Sequence, residues 1–362
     1  MKIAIVGSRG IPAAYGGFET FAENISAQLR DIGHEVSVVG EKGSNITQGK
    51  FHGIRIIESA YRKGESPLKF YYDSLKKASF EHDILLVCGV GGAPFYPIIR
   101  KKRNIIVSNV DGLEHLRDKY SFLQKTYVRI AQKFASKYSD FLVADAKALA
   151  SFWIQKQNVP SSRLKIIPYG THKPAGFNPD VLREYGLQNK EYYILVARFV
   201  PENHILEIAE GFRVSGTKKK ILIIGTHENT EYSEMVLKYK SENILMPGAQ
   251  YHREKLDSLR AGAFAYLHGH SVGGTNPSLL ESMSAGTVCI CHDNPFNREV
   301  NGEGQLYFRN SIELAERIKR LESKSEQETS EYCKKSMQRI KDFYTWNNAA
   351  NSYNTLFREL NG

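Results

Sequence analysis

Short apolar runs alternate with helix-spaced ones along most of this chain. KIAIVG (2–7), HEVSVVG (34–40), GIRIIES (53–59), DILLVCG (83–89), NIIVSNVDG (104–112), DFLVAD (140–145) and KIIPYG (165–170) are short, rich in β-branched residues and mostly closed by glycine or an acid. That is the pattern of buried strands. Helical patterns lie between several of them. The clearest follows Gly17, where Phe21, Ile25, Leu29 and Ile32 recur at helical spacing and Gly33 stands where a C-terminal cap belongs.

The pattern then restarts. YYILVARF (192–199), KILIIG (220–225), NILMPG (243–248), AFAYLHG (263–269) and TVCICHD (287–293) read as strands. The stretches 202–212, 232–240, 252–261 and 277–285 fit the helices between them. Alternation of this kind predicts an α/β fold with parallel sheets covered by helices. Occurring twice, it predicts two doubly wound Rossmann-like domains, residues 1–172 and 173–345, joined near THKPAGFNPD (171–180). Ligands of such sheets bind beyond the carboxyl ends of the strands. A cleft between the two domains is therefore the expected site. A last helix near 347–359 has no strand after it, so residues 346–362 are expected to return to the first domain.

Composition agrees with a globular chain. Of 362 residues, 41% are apolar and 24% charged, and no apolar run approaches the ~18–20 residues of a membrane span. MKIAIVGSRG reads as a first strand, too short and glycine-rich for a leader peptide. Cys88, Cys289, Cys291 and Cys333 form no C-x-x-C pair and read as free thiols in a reducing cytoplasm, with no metal site. The net charge of +10 is unevenly placed. Residues 1–170 hold 25 Lys and Arg against 15 Asp and Glu, whereas residues 171–362 hold 24 of each. A basic first half points to an anionic surface or ligand there, with simple solubility as the plain alternative. Nucleic acid is disfavoured, because no reader motif or spaced stacking aromatics accompany the charge.

The candidate chemistry centres on HGHSVGGTNPSLLE (268–281). Asn276 suits a helix N-cap, Pro277 the first helical position, and Leu279, Leu280 and Met283 the buried stripe. The N–H groups at that helix start can hold an anion, and Gly273, Gly274 and Thr275 bring bare backbone up to it. Glu281 lies one turn deeper, where a carboxylate suits a hydroxyl of a nucleotide's sugar. The first strand ends in a similar loop, GSRGIPAAYGGFET (7–20), with Gly16 and Gly17 opening the next helix. It is not the dinucleotide fingerprint, since Gly7-Ser8-Arg9 breaks G-x-G. Arg198 ends the strand YYILVAR and suits a diphosphate, the plain alternative being an ion pair with Glu202. His268 reads as structural, whereas His270 leads into the glycine loop. Lys125, Arg129, Lys133 and Lys137 recur every four residues beside a stripe of Leu123, Tyr127, Ile130 and Phe134. With Lys69, Lys76, Lys77 and RKKR (100–103), this ridge could rest on an anionic bilayer. Alternatively, the stripe packs on the sheet and the cations are solvated.

These motifs resemble the retaining GT-B glycosyltransferases of glycosyltransferase family 4, over nearly the whole chain. Gly16-Gly17 with Glu19 is similar to the family's glycine-rich loop, ARF (197–199) to its phosphate-arginine strand, and 273–281 to its E-x7-E motif. GSRGIPAAYGGFET, VDGLE (110–114), RFVPEN (198–203) and HGHSVGGTNPSLLE resemble most closely a branch of bacterial rhamnosyltransferases that build surface polysaccharides. Three positions depart from the pattern. Gly273 replaces the first glutamate of E-x7-E, Asn203 replaces a lysine, and His115 replaces an aromatic residue.

The resemblance implies a retaining, metal-independent hexosyltransferase with no cofactor beyond its nucleotide-diphosphate sugar. Donor contacts then fall to Arg198, Asn203, His270, the Gly273–Asn276 stretch, Glu281, Gly16 and Gly17. Asp111 and Glu114 would position the acceptor hydroxyl, with the departing phosphate taking its proton. The expected acceptor is a lipid-pyrophosphate-linked saccharide, met by a protein peripheral on the inner face of the cell membrane. Rhamnose from dTDP-rhamnose fits a site with fewer hydroxyl partners. A UDP- or GDP-sugar donor, or a GT-B-shaped nucleotide-sugar epimerase, remains as the alternative.

Overall fold

The computed structural model describes residues 1–13, 16–44, 49–100, 104–110, 112, 121–227 and 229–361. The chain divides into two compact units, Met1–Tyr169 with Trp346–Gly362, and Gly170–Thr345.

The first unit runs β1 (Lys2–Val6), α1 (Gly17–Asp31), β2 (Glu35–Gly40), β3 (Lys50–Phe51), β4 (Ile54–Glu58), α2 (Pro67–Glu81), β5 (Ile84–Cys88), α3 (Tyr96–Ile99), β6 (Ile105–Asn109), α4 (Phe122–Tyr138), β7 (Phe141–Ala144), α5 (Lys147–Gln157) and β8 (Leu164–Ile166). Among the described residues its sheet has the order β3-β4-β2-β1-β5-β6-β7-β8. All pairings are parallel except the edge pair β3–β4. Strand order reverses between β1 and β5, the switch point where a doubly wound sheet opens a crevice. Phe21, Ile25 and Leu29 of α1 are fully buried over this sheet. The run KIIPYG yields only the three residues of β8, since Pro168 has no N–H to extend a ladder.

The second unit runs α6 (Pro179–Glu184), β9 (Tyr192–Val196), α7 (Ile205–Ser215), β10 (Lys220–Ile224), α8 (Glu231–Leu237), β11 (Ile244–Gly248), α9 (Arg253–Gly262), β12 (Ala265–His268), α10 (Pro277–Ser284), β13 (Val288–His292), α11 (Pro295–Asn301), β14 (Leu306–Phe308), α12 (Ser311–Glu322) and α13 (Glu326–Phe343). Its sheet is parallel, in the order β11-β10-β9-β12-β13-β14. The two sides of β9 explain its apolar run. Tyr193 and Leu195 pack with Ile205, Ile208 and Phe212 of α7, while Tyr192 and Ile194 pack with Leu259, Leu279, Leu280 and Met283 of α9 and α10. A strand covered on both faces has no polar alternation to show.

The last helix, α14 (Trp346–Asn361), belongs to the first unit. Tyr353 and Phe357 join the core around α1, and the Tyr353 ring lies 5.7 Å from that of Phe21. The stretch 202–212 is not one helix. A 3-10 turn (Pro201–Asn203) is followed by His204 in the left-handed region at φ +46°, and α7 begins only at Ile205.

Candidate active site

Strand order in the second sheet reverses between β9 and β12. The two strands pair over only Ala265–Tyr193 and Tyr266–Ile194. Beyond that they splay, and their loops, 197–204 and 269–276, form the crevice of this unit. The Ser278 hydroxyl donates to the Val196 carbonyl across the gap (3.1 Å). The Ser271 N–H donates to the Glu202 carbonyl (2.9 Å), and Ser271 Oγ lies 3.0 Å from His204 Nε2. Gly269 meets this seam closely: a Cβ there would stand 2.0 Å from the Asn203 carbonyl oxygen.

Arg198, Asn203, His270 and the Gly273–Asn276 stretch are all gathered at this crevice. Arg198 follows β9, is exposed, and makes no ion pair among the described residues, so the alternative pairing with Glu202 is not formed. Asn203 is buried. Its Nδ2 donates to the Arg198 carbonyl (2.8 Å), and its Oδ1 lies 2.8 Å from His270 Nδ1. An amide oxygen only accepts, so the His270 proton sits on Nδ1. The His270 carbonyl accepts from Asn297 Nδ2 and Asn294 Nδ2 (2.9 and 3.1 Å), which fixes the backbone just before the glycine loop. Gly273 is in the left-handed region at φ +122°, and Gly273, Gly274 and Thr275 are buried. Asn276 caps α10 by accepting the Ser278 N–H (2.9 Å), with Pro277 at the first helical position. The crevice thus ends in the backbone of Gly273 and Gly274, just before a helix whose own first amides are held by Asn276, and the adjoining loop carries Arg198, which makes no ion pair among the described residues. That is an anion-binding arrangement.

His268 is buried at the end of β12, with Nδ1 3.2 Å from the Tyr266 hydroxyl. Burial, then the nearby His270 and His292, push its pKa well below the ordinary range, so the ring is neutral. His292 is depressed in the same direction, first by burial and then by His204, whose ring stacks on it at 4.1 Å.

Glu281 sits one turn into α10, as its spacing requires. Its Oε2 is 2.5 Å from Nη2 of Arg260, a residue of α9 that the sequence analysis did not single out. Arg260 carried no local signal, because nothing in LDSLRAG distinguishes a buried arginine from an exposed one.

Gly16 and Gly17 lie at the switch point of the first sheet, at the start of α1. The loop before them is tied down by two carboxylates. Buried Glu19 accepts the Arg9 N–H (2.8 Å), and Glu23 accepts the Ala13 N–H (2.6 Å). The positive end of α1 therefore already has a carboxylate beside it. Asp111 and Glu114, with His115, lie outside the described residues. On α4, Lys125 is half-buried and Arg129 and Lys133 are exposed. The face packed inward is Val128, Ala131, Gln132 and Ala135. Leu123 and Ile130 of the expected stripe are exposed, with Phe122 and Leu123 at 78% and 79%. The stripe therefore does not pack on the sheet as a whole.

Residues 180–339 match the family described as "Glycosyl transferases group 1", and residues 1–172 match "Domain of unknown function (DUF1972)". No curated protein matches the sequence significantly. Among solved structures, the chain is similar to sucrose-phosphate synthase from Thermosynechococcus elongatus, at 16% identity over 99% of this chain and 98% of that one, TM-score 0.82. It is also similar to HepE from Anabaena in complex with UDP and glucose, at 15% identity over 99% and 100%, TM-score 0.76. A glycosyltransferase from Rickettsia africae aligns at 13% identity over 99% and 98%, TM-score 0.76. The fold is therefore the GT-B fold. With the group 1 match over the second unit, these relationships support a glycosyltransferase of the GT-B type.

Proposed function

We propose that this protein transfers a sugar from a nucleotide diphosphate, held at the crevice of the second unit, to a lipid-pyrophosphate-linked saccharide. The observation that carries the reading is that the loop bearing Arg198, which makes no ion pair among the described residues, and the Gly273–Gly274 backbone before α10 are joined at the β9–β12 switch point through Asn203 and His270. Negative charge builds on the departing diphosphate during glycosyl transfer. Fixed donors aimed at it stabilise the transition state more than the ground state. Arg198 and the amides of Gly273–Thr275 take that role, and Asn203 holds Arg198 and His270 in register. A nucleotide-sugar donor also agrees with the UDP and glucose named in the HepE complex.

The resemblance favours rhamnose on thymidine diphosphate and retention of configuration, with the departing phosphate oxygen accepting the acceptor's proton. The UDP of the HepE complex keeps a uridine donor as the second reading. The first unit supplies the acceptor side. Leu68 of α2, Ile98 of α3, and Phe122 and Leu123 of α4 are exposed on it, as are Lys69, Lys76, Arg129 and Lys133. Exposed apolar residues fringed by cations suit an anionic bilayer surface. Among the described residues no helix is long and apolar enough to cross a membrane.

The test is a transfer assay with dTDP-rhamnose, UDP-sugars and GDP-sugars, each with and without a lipid-pyrophosphate-linked saccharide. The reading expects acceptor-dependent release of the nucleotide diphosphate and a lengthened lipid-linked glycan. A rearranged sugar formed without acceptor would establish an epimerase instead.

A further inference from the structure

Arg260 is a buried cation that the donor site as described does not use. It is 3% exposed, whereas the Glu281 side chain it holds is 41% exposed. Its other acidic neighbour, Asp257, is farther away, with Nη1 3.8 Å from Oδ1, and Ser278 Oγ lies 3.5 Å from Nη2. Nε has no partner. The Arg260 carbonyl is itself held, accepting from the Thr287 hydroxyl (2.6 Å). A guanidinium is costly to bury, and this one is incompletely satisfied. The short contact to Glu281 is therefore its main compensation, and it fixes the carboxylate as firmly as the carboxylate fixes it.

We infer that Arg260 is a positioning residue: it takes Oε2 of Glu281 and leaves Oε1 for a single hydroxyl of the nucleotide's sugar. The inference rests on the donor site proposed above. An unrestrained carboxylate can chelate a vicinal diol with both oxygens. One whose second oxygen is occupied by a buried guanidinium offers one oxygen in a fixed place. The ordering cost is then met before the ligand arrives, which raises affinity without a new contact. It also sets specificity. The site reads one sugar hydroxyl and does not require the adjacent one, so a 2′-deoxynucleotide is accepted as readily as a ribonucleotide.

The experiment is calorimetric titration of the full chain with UDP, 2′-deoxy-UDP and 2′,3′-dideoxy-UDP, for the native protein, E281Q, R260Q and R260K, with circular dichroism confirming folding. For the native chain, UDP and 2′-deoxy-UDP should bind within about threefold of each other and the dideoxy form at least about tenfold more weakly. E281Q and R260Q should each weaken the first two by about tenfold or more and leave the dideoxy form unchanged, with R260K between native and R260Q. Should R260Q fail to fold, R260K carries the comparison. Native affinity in R260Q or R260K beside a weakened E281Q overturns the role of Arg260 and leaves the donor site standing. An equal loss for all three nucleotides makes Arg260 merely structural and overturns it too. Strong preference for UDP over its 2′-deoxy form overturns the single-hydroxyl reading. Native binding of all three by E281Q overturns the Glu281 contact and leaves the diphosphate site standing, whereas no binding of any of the three by the native chain removes the donor-site reading itself.

Discussion

Asn203 Oδ1 lies 2.8 Å from Nδ1 of His270, and the same amide donates through Nδ2 to the carbonyl of Arg198. One buried side chain thus joins the loop after β9 to the loop after β12. Where the wider family resembled by this sequence has a lysine, the present chain has a brace. N203A should leave the Arg198 carbonyl and His270 Nδ1 without this partner, at a cost of about 1–3 kcal/mol in stability. Catalytic efficiency should fall at least about tenfold, because Arg198 and the glycine loop lose their common register. Urea denaturation and steady-state kinetics check both numbers. Unchanged kinetics would show that the brace has no part in the site.

Gly269 tests the same seam from the other side. Its absent Cβ would meet the Asn203 carbonyl oxygen at 2.0 Å, a backbone atom with no rotamer to yield. G269A should destabilise the protein by at least about 2 kcal/mol, at the upper end of overpacking costs. A melting temperature equal to the native one would mean that the loops do not approach this closely.

His268 gives the protein a pH dependence of stability. The unfolded ring titrates near its ordinary value of 6.5, whereas the buried ring stays neutral to well below it. As pH falls through 6.5 the unfolded chain binds a proton that the native chain refuses, so stability drops, by up to about 1.4 kcal/mol per pH unit. Above that range this loss vanishes. His292 is displaced the same way and adds to the slope. Denaturation at about pH 7.5, 6.5 and 5.5 should show a shallower decline in H268N than in the native protein. Equal slopes would place the titration elsewhere.

The apolar residues on α4 bear on the acceptor side. F122S/L123S should reduce co-sedimentation with anionic phosphatidylglycerol vesicles, and R129E/K133E should reduce it by about tenfold or more, at roughly 1 kcal/mol per cation near such a surface. Binding to neutral vesicles should be weak throughout. Native-like sedimentation of both variants would remove this surface from the account.

Much of this architecture is legible in the chain. The β-branched runs and the Asn276-Pro277 start of α10 predict the observed strands and the helix cap, because burial on both faces and capping chemistry are local in sequence. The stretch 295–345 is not read: β14 has only three residues, and α13 buries only Ser336 and Ile340, too few for a visible stripe. Helix α12 does carry a stripe, Leu314, Ile318 and Leu321. The brace Asn203–His270 and the pair Arg260–Glu281 span 67 and 21 positions, and no periodicity encodes a contact between loops or between neighbouring helices. The break at His204 is equally hidden, since apolar spacing runs on through a residue whose backbone turns left-handed.

The most direct test of the donor site is a crystal structure of the chain soaked with a nucleotide-diphosphate sugar. The pyrophosphate oxygens should lie at about 3 Å from the amides of Gly273–Thr275 and from the Arg198 guanidinium. A pyrophosphate bound anywhere away from the β9–β12 switch point, with Arg198 still unengaged, would contradict the account.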